Sequence, residues 1–143
     1  MRARGAVRRL RELKLPAPTI VEGRYDYESG AMGLRTIVQR LGGAPDAVVC
    51  GNDVMAIGCI DVARHELKLS VPRHISVVGF DGVSASTWAS YRLTTLRQPV
   101  QQMAEAAASM LISRIGVPQV PPEKRGFTAQ FIDGATARLG SIQ

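Results

Sequence analysis

The sequence has 143 residues, of which 45% are hydrophobic and 21% charged, a balance typical of one soluble globular domain rather than of a disordered chain. No apolar run approaches the roughly 20 residues that a membrane-spanning helix needs. The basic N-terminus is not followed by an apolar segment of signal-peptide length. We therefore expect a cytoplasmic protein that does not associate with membranes.

The net charge of +6 is concentrated at the N-terminus. Residues 1–14 carry six basic residues and one acid, whereas the remaining chain holds twelve basic and eleven acidic residues. A helix over this segment would place Val7, Leu10 and Leu13 on one side and arginines on the other. The pattern indicates a solvated helix face or a phosphate-binding stripe, and the interleaved aromatics typical of the latter are absent from residues 1–14.

From residue 19 onward, short apolar runs alternate with helical patterns. They predict strands at 19–21, 47–50, 75–78 and 93–96, helices at 27–41, 54–67 and 99–115, and an edge strand at 127–132. Pro99 would occupy the first position of the third of these helices. This order, with such short connections, predicts an α/β fold with a doubly wound, mainly parallel sheet covered on both faces.

Catalytic and metal-binding signals are weak. Cys50 and Cys59 lie in apolar surroundings without a CxxC pair or a histidine cluster, so we expect buried free thiols, no metal and no cofactor. His65 and His74 are predicted to lie away from the ligand-binding edge of the sheet. The sequence has no GxSxG, P-loop or GxGxxG motif, and we expect no enzymatic activity.

Polar and aromatic side chains follow three predicted strands, at the edge where their carboxyl ends meet. Tyr25 follows the first strand, Asn52 and Asp53 the second, and Asp81 the third. A ring, an amide and a carboxylate suit a hydroxyl-rich or heterocyclic small molecule. Each residue also has a structural interpretation: Asn52 or Asp53 as a helix N-cap, Asp81 with Gly82 as a turn, and Tyr25 as packing under the next helix.

Six segments in chain order carry a resemblance to a known family: RARG at 2–5, Tyr25-x-x-x-Ser29-Gly30, PDAVVCGNDVMAIG, VPRHISVVGFDG, LTTLRQP and Gly134-x-Thr136. Together they resemble the effector-binding region of LacI/GalR-type bacterial transcription regulators. The resemblance implies a type I periplasmic-binding-protein-like fold, in which a sugar or similar small metabolite binds between two lobes.

The resemblance also implies how the chain is divided. Residues 1–98 would form the second lobe, 99–116 a helix that packs on the first lobe, and 117–143 an extended return segment and tail. In this family a helix-turn-helix that binds operator DNA lies in the N-terminal half, which these residues do not resemble. We therefore expect the chain to correspond to the C-terminal half of a regulator.

The resemblance also implies roles for individual residues. Those expected to contact effector are Arg2, Tyr25, Asn52, Asp81 and Gln98, whereas Asp53 would cap the following helix. A homodimer is also implied, through the helix that begins at Val54 and the loop 83–91. Trp88 in that loop is either an exposed interface anchor or a ring folded over its own domain.

Two further expectations concern the missing half. An extracytoplasmic sugar-binding protein of an uptake system is the alternative function, which the regulator-like segments and the missing signal sequence disfavour. Leaving the apolar stripe of helix 99–115 in water would forfeit several kcal/mol. We expect that helix to dock on its own sheet, pair with another copy or be mobile, and the isolated chain to bind effector weakly.

Overall fold

A computed structural model describes residues 2–115 and 121–140, with side chains from residue 4 onward. Its elements in chain order are α1 (Arg2–Glu12), α2 (Tyr27–Leu41), β1 (Ala47–Val49), α3 (Asp53–Asp61), β2 (Ser76–Val78), β3 (Thr95–Arg97), α4 (Val100–Ile112) and β4 (Gln130–Ile132). A π-helical turn, Val62–Glu66, continues α3, and a 3-10 turn, Ser84–Thr87, follows β2. The predicted α/β fold is confirmed.

The strands form two pairs that bridges connect. β1 and β2 are parallel, with Val48 opposite Val77, whereas β3 and β4 are antiparallel, with Leu96 opposite Phe131. Two parallel bridges, Val78 to Thr94 and Asp81 to Arg97, join β2 to β3. The carboxyl ends of β1, β2 and β3 therefore lie at one edge, as the short crossovers predict.

The predicted strand at 19–21 is wrong. These residues have no regular structure, and within the described part of the chain their backbone joins no strand ladder. Ile20 is 54% exposed, and its carbonyl accepts a hydrogen bond only from the Arg40 side chain, at 3.3 Å. Pro16 and Pro18 lie just before the segment and lack the N–H donors that a ladder needs.

Helix boundaries differ slightly from those predicted. α4 begins at Val100 with Pro99 at its N-cap, not at its first helical position, and it ends at Ile112. The helix predicted at 54–67 begins one residue earlier, at Asp53, and its last turn is π-helical.

The core lies between β2 and the helices α2 and α3. Its largest buried side chains include Leu34 from α2, Ile60 from α3, Val77 from β2, and Ile75 and Leu93 from the flanking segments. Each such side chain contributes about 1.5–3 kcal/mol when buried. This cluster fixes the positions of the two helices on the sheet.

The helices α2 and α3, which enclose the core, are in backbone contact. A Cβ atom on Gly58 of α3 would overlap the carbonyl oxygen of Tyr27 at the start of α2. Only glycine permits this approach, which places the first turn of α2 beside the middle of α3.

Cover on both faces of the sheet is only partly confirmed. Both faces of β2 are covered, because Ser76 and Val77 are buried, whereas Val49 of β1 is 68% exposed. α4 has no buried residue, and neither does α1 over its described side chains. The sheet is therefore open to solvent at Val49 of β1.

Candidate functional site

The candidate site is built at the edge where β1, β2 and β3 end. Asn52 lies three residues after β1, Asp81 three residues after β2, and Gln98 directly after β3. Tyr25 lies in the loop that precedes α2. Hydrogen bonds group these four residues as two pairs: the Asn52 side chain bonds the Tyr25 backbone carbonyl, and the Gln98 side chain bonds the Asp81 carboxylate.

Asn52 is the N-cap of α3, a role that the sequence analysis gave to Asp53. Its backbone is extended, and its Oδ1 accepts a hydrogen bond from the Met55 N–H at 2.9 Å. Its Nδ2 donates to the carbonyl oxygen of Tyr25, also at 2.9 Å. Asn52 therefore both caps the helix and fixes the loop that carries the aromatic ring.

Asp53 is not a cap, and the prediction is corrected here. Its side chain is fully buried, because it lies inside the first turn of α3 and faces the sheet. One oxygen, Oδ2, accepts from the Val83 N–H at 2.8 Å, and Oδ1 accepts from the Thr95 hydroxyl at 2.5 Å. The carboxylate thus joins α3 to the loop after β2 and to β3.

Asp81 and Gln98 form the second pair. The Gln98 Nε2 donates to Asp81 Oδ1 at 2.5 Å, and the Gln98 N–H donates to the Asp81 carbonyl at 3.2 Å. Asp81 has φ 114°, in the left-handed region, and Gly82 follows it at φ 73°. The predicted turn at Asp81–Gly82 is wrong: Asp81 forms a parallel bridge with Arg97, and its carboxylate lies beside the Gln98 amide.

Tyr25 does not pack under α2. Its side chain is 59% exposed, and its backbone has a positive φ of 63°. The ring lies beside Gly51, so close that a Cβ on that glycine would contact it. An exposed ring next to the Asn52 amide is available to stack on a ligand.

The structure does not describe the side chain of Arg2, which begins α1. Later side chains of α1 are largely exposed, and Arg8 and Arg9 form ion pairs with Glu12 at 3.7 and 3.1 Å. Exposed pairs of this kind contribute little to stability. α1 presents a solvated basic face, the first of the two interpretations given above.

The two residues expected at a dimer interface are both accessible. Val54 is 37% exposed and Trp88 59% exposed, so the tryptophan ring is not folded over its own domain. Trp88 follows directly after the 3-10 turn.

An open groove of about 470 Å³ lies apart from the site residues. In it Tyr27 and Tyr91 both donate their phenolic hydrogens to Asp61 Oδ2, each at 3.0 Å. Desolvation, then the bond to Asp61, raises the pKa of Tyr27 to about 12. The Arg35–Glu66 ion pair also lines this groove. The hydrogen bond between the two side chains raises the pKa of Arg35 and lowers the pKa of Glu66. No local sequence pattern indicates this cluster, because its members are far apart in the chain.

Groups that could support catalysis are not gathered at the edge. Both cysteines are buried, and the hydrogen bond with Cys59, together with burial, raises the pKa of the Cys50 thiol, which disfavours the nucleophilic thiolate. His74 accepts from the Ser70 N–H at Nδ1, and His65 lines the groove. Over residues 2–115 and 121–140 no group of three or more metal-ligating side chains occurs.

None of the helices in the described ranges is both long and apolar enough to cross a bilayer.

Comparison with known families gives one match over most of the chain. Residues 1–137 match the family described as periplasmic binding protein-like domain. The HTH-type transcriptional repressor PurR of Yersinia pestis (strain Pestoides F) is 40% identical over 116 residues, which are 80% of this chain and 33% of the repressor. The chain therefore spans about a third of the length of the curated relatives that it matches.

Solved structures agree with this match. A LacI-type transcription regulator from Bifidobacterium animalis subsp. lactis is 29% identical with a TM-score of 0.79, over 96% of this chain and 50% of that one. A complex of the transcriptional regulator CelR with cellobiose has a TM-score of 0.88 over 95% of this chain and 42% of that one. At 23% identity, the latter supports the fold alone.

Proposed function

Because this chain belongs to the periplasmic binding protein-like domain family, in its LacI/GalR-type effector-binding form, we propose that it senses a small metabolite for a transcription regulator. The effector is a sugar or a molecule of similar polarity, bound without chemical conversion. In this proposal the intact protein acts in the cytoplasm, and a helix-turn-helix outside residues 1–143 binds operator DNA.

The observation that carries the proposal is the pairing of site residues at one sheet edge. The Asn52 amide follows β1 and bonds the loop that carries the exposed Tyr25 ring, and the Asp81 carboxylate and Gln98 amide follow β2 and β3. Asn52, Asp81 and Gln98 supply both donors and acceptors, as neighbouring hydroxyl groups of a sugar require. Tyr25 supplies an apolar face for the ring of such a ligand.

The same proposal assigns Arg2 to the effector site and divides the chain at residues 98 and 116. Residues 1–98 form one lobe, residues 99–116 carry α4 toward the other lobe, and residues 117–143 return to the first. Hydrogen bonds of the Thr136 hydroxyl support the return of the tail to the first lobe. They join the tail to Val77 at 2.7 Å and to Thr94 at 2.9 Å. Residues 116–120, which include the second boundary, lie outside the described ranges.

A titration followed by nuclear magnetic resonance tests the effector proposal. The ¹⁵N-labelled chain is mixed with monosaccharides, disaccharides and nucleosides at millimolar concentrations, because half of the proposed cleft lies outside this chain and we expect weak binding. At least one class should shift the amide signals of Tyr25, Asn52, Asp81 and Gln98. The same samples are assayed for ligand turnover, and turnover would contradict a purely sensing role.

Asp81→Ala provides the decisive variant. It should weaken binding by about 1.5–3 kcal/mol, the range for a hydrogen bond to a charged group, while the fold survives. Asp133→Ala removes an exposed carboxylate outside the site and should bind like the wild-type chain. Unchanged affinity in a folded Asp81→Ala protein would overturn the site assignment.

We also propose a homodimer through the first turn of α3 and the loop 83–91. Exposure of Val54 and Trp88 supports it, since a tryptophan accessible to a partner is a frequent interface anchor. Sedimentation should detect self-association at micromolar concentrations, and Trp88→Ala should weaken it by about 2 kcal/mol or more. Phe127→Ala, which truncates an exposed aromatic elsewhere, should leave it intact. A wild-type chain that stays monomeric would contradict the interface.

A further inference from the structure

Asp53 lies at the junction of three segments and has no role in the site described above. Its N–H donates to the Phe80 carbonyl at 2.8 Å, and its two carboxylate oxygens accept from the Val83 N–H and the Thr95 hydroxyl. The side chain is fully buried. A buried carboxylate is costly unless both oxygens are satisfied, so these bonds are strong constraints on the segments that supply them.

The segments that Asp53 joins are those that carry Asp81 and Gln98. Asp81 has a backbone conformation that costs a non-glycine residue about 1–3 kcal/mol, so its surroundings must hold it in place. Its N–H donates to the Leu96 carbonyl at 2.9 Å, and Gln98 bonds both its carbonyl and its carboxylate. Asp53 binds Val83, which follows Asp81 by two residues, and Thr95, which precedes Gln98 by three.

The Asp53 carboxylate satisfies both of its neighbours as they stand. A carboxylate presents acceptors alone, and both neighbours, a backbone N–H and a hydroxyl, are donors here. The space is also closed on the side of the sheet, because a Cβ on Gly79 would overlap Asp53 Oδ1. An asparagine would have one acceptor oxygen, so its NH₂ group would have to donate to the Thr95 hydroxyl and reverse the direction of that bond.

We propose that Asp53 and Thr95 are positioning residues of the effector site. They hold the loop after β2 and the strand β3 at a fixed separation, so that the Asp81 carboxylate and the Gln98 amide meet at the sheet edge. The link to a ligand rests on the proposed function. The positioning itself is a property of this chain and is measured without any ligand.

Thr95 offers the sharper test, since Asp53 variants are at risk of unfolding. Thr95→Val keeps the side-chain shape and removes the hydroxyl, and Thr95→Ser keeps the hydroxyl. Thr136→Val is the matched control, because Thr136 is an equally buried threonine whose hydroxyl bonds Val77 and Thr94 and not Asp53. Asp53→Asn is added where it folds.

The measurement is amide hydrogen exchange of the ¹⁵N-labelled chain. Thr95→Val should speed exchange at Asp81, Val83 and Gln98 by about tenfold or more relative to the Cys50 amide, which belongs to the β1–β2 ladder. It should also shift the side-chain NH₂ signals of Gln98. Thr95→Ser should restore the wild-type pattern. Thr136→Val should speed exchange at the Thr94 amide, which its hydroxyl binds, without a selective effect at Asp81, Val83 and Gln98.

Two results would overturn the proposal. One is a Thr95→Val protein in which every amide exchanges faster by the same factor, since that is a loss of global stability only. The other is unchanged Gln98 side-chain signals in Thr95→Val. Failure of every sugar and nucleoside to bind would instead overturn the proposed function and leave the exchange result standing.

Discussion

At the scale of single residues, the Asn52 side chain makes two structural hydrogen bonds, one from each end of its amide. The oxygen of its amide caps α3, and the nitrogen holds the backbone of the Tyr25 loop. A ligand that hydrogen-bonds Asn52 therefore meets an amide whose orientation both bonds already fix. Fixed donors and acceptors lose less conformational entropy on binding than mobile ones do.

Separate variants distinguish these two roles of Asn52. Asn52→Ala removes both bonds and should lower the free energy of unfolding by about 0.5–2 kcal/mol, the usual cost of a lost N-cap. Asn52→Asp keeps the acceptor for the Met55 N–H and should retain most of that stability. It cannot donate to Tyr25, so only the signals of the Tyr25 loop should change. Urea unfolding with assigned amide spectra measures both effects, and equal destabilisation by the two variants would contradict the assignment.

The N-cap of α3, which is Asn52 and not Asp53, shows what the sequence could not supply. Both residue types are favoured N-caps, so composition does not say which of two neighbours has the extended backbone. The structure gives that backbone to Asn52, with φ −154° and ψ 176°. The strand-end positions of Asn52 and Asp81 were predictable, since they need only the alternation of strands and helices. The bonds of Asp53 to Val83 and Thr95 were not, because both partners are distant in the chain.

At the scale of elements, the contact of α2 with α3 sets the position of the site. The Tyr25 loop directly precedes the first turn of α2, and Asn52 directly precedes the first turn of α3 as its N-cap. The closeness of the two helices at Gly58 therefore fixes how near Tyr25 lies to Asn52. An increase in that separation would strain the bond between them.

A pair of glycine variants tests this helix contact. Gly58→Ala places a methyl group against the Tyr27 carbonyl and should lower the free energy of unfolding by about 1–3 kcal/mol, the usual cost of overpacking. Gly33 lies within α2, and no neighbouring element comes within 4 Å of the position that a methyl group would take there, so Gly33→Ala should instead raise it by about 0.5–1 kcal/mol. Urea unfolding at a constant m-value measures both changes. Equal effects of the two substitutions would show that the contact is not tight.

Elements that pack on the core were easier to predict from the sequence than exposed ones. The helix α2 was predicted with the boundaries that it has, because its apolar residues recur on one face and glycines follow it. Residues 19–21, Thr-Ile-Val, have the β-branched composition typical of a strand, yet they make no ladder in the described chain. A strand depends on the neighbour that pairs with it, and no local pattern reports whether that neighbour is present.

At the scale of the whole molecule, the sheet is covered unequally. α2 and α3 bury the core, whereas α4 contributes nothing to it, and its exposed side chains include Val100, Leu111 and Ile112, each at 65% exposure or more. The first alternative given for this helix, docking on its own sheet, is therefore wrong. Three predictions for α4 remain: it pairs with a second copy, it is locally mobile, or the remainder of a longer protein covers its apolar stripe. Since the chain spans about a third of its curated relatives, such a remainder is a natural partner for the stripe.

Hydrogen exchange across α4 distinguishes these states. An isolated helix shorter than about 12–15 residues is marginally stable in water, so in a verified monomer the amides of Val100–Ile112 should exchange far faster than the Cys50 amide in the sheet. If a second copy covers the stripe, protection should rise with concentration, and Leu111→Lys should abolish that rise. Gln102→Lys adds the same charge to an exposed polar position of α4 and should leave it unchanged. Strong protection of α4 at concentrations where sedimentation finds only monomer would contradict this prediction. Such protection would require stabilising contacts within one chain, whereas the described side chains of α4 are all at least partly exposed.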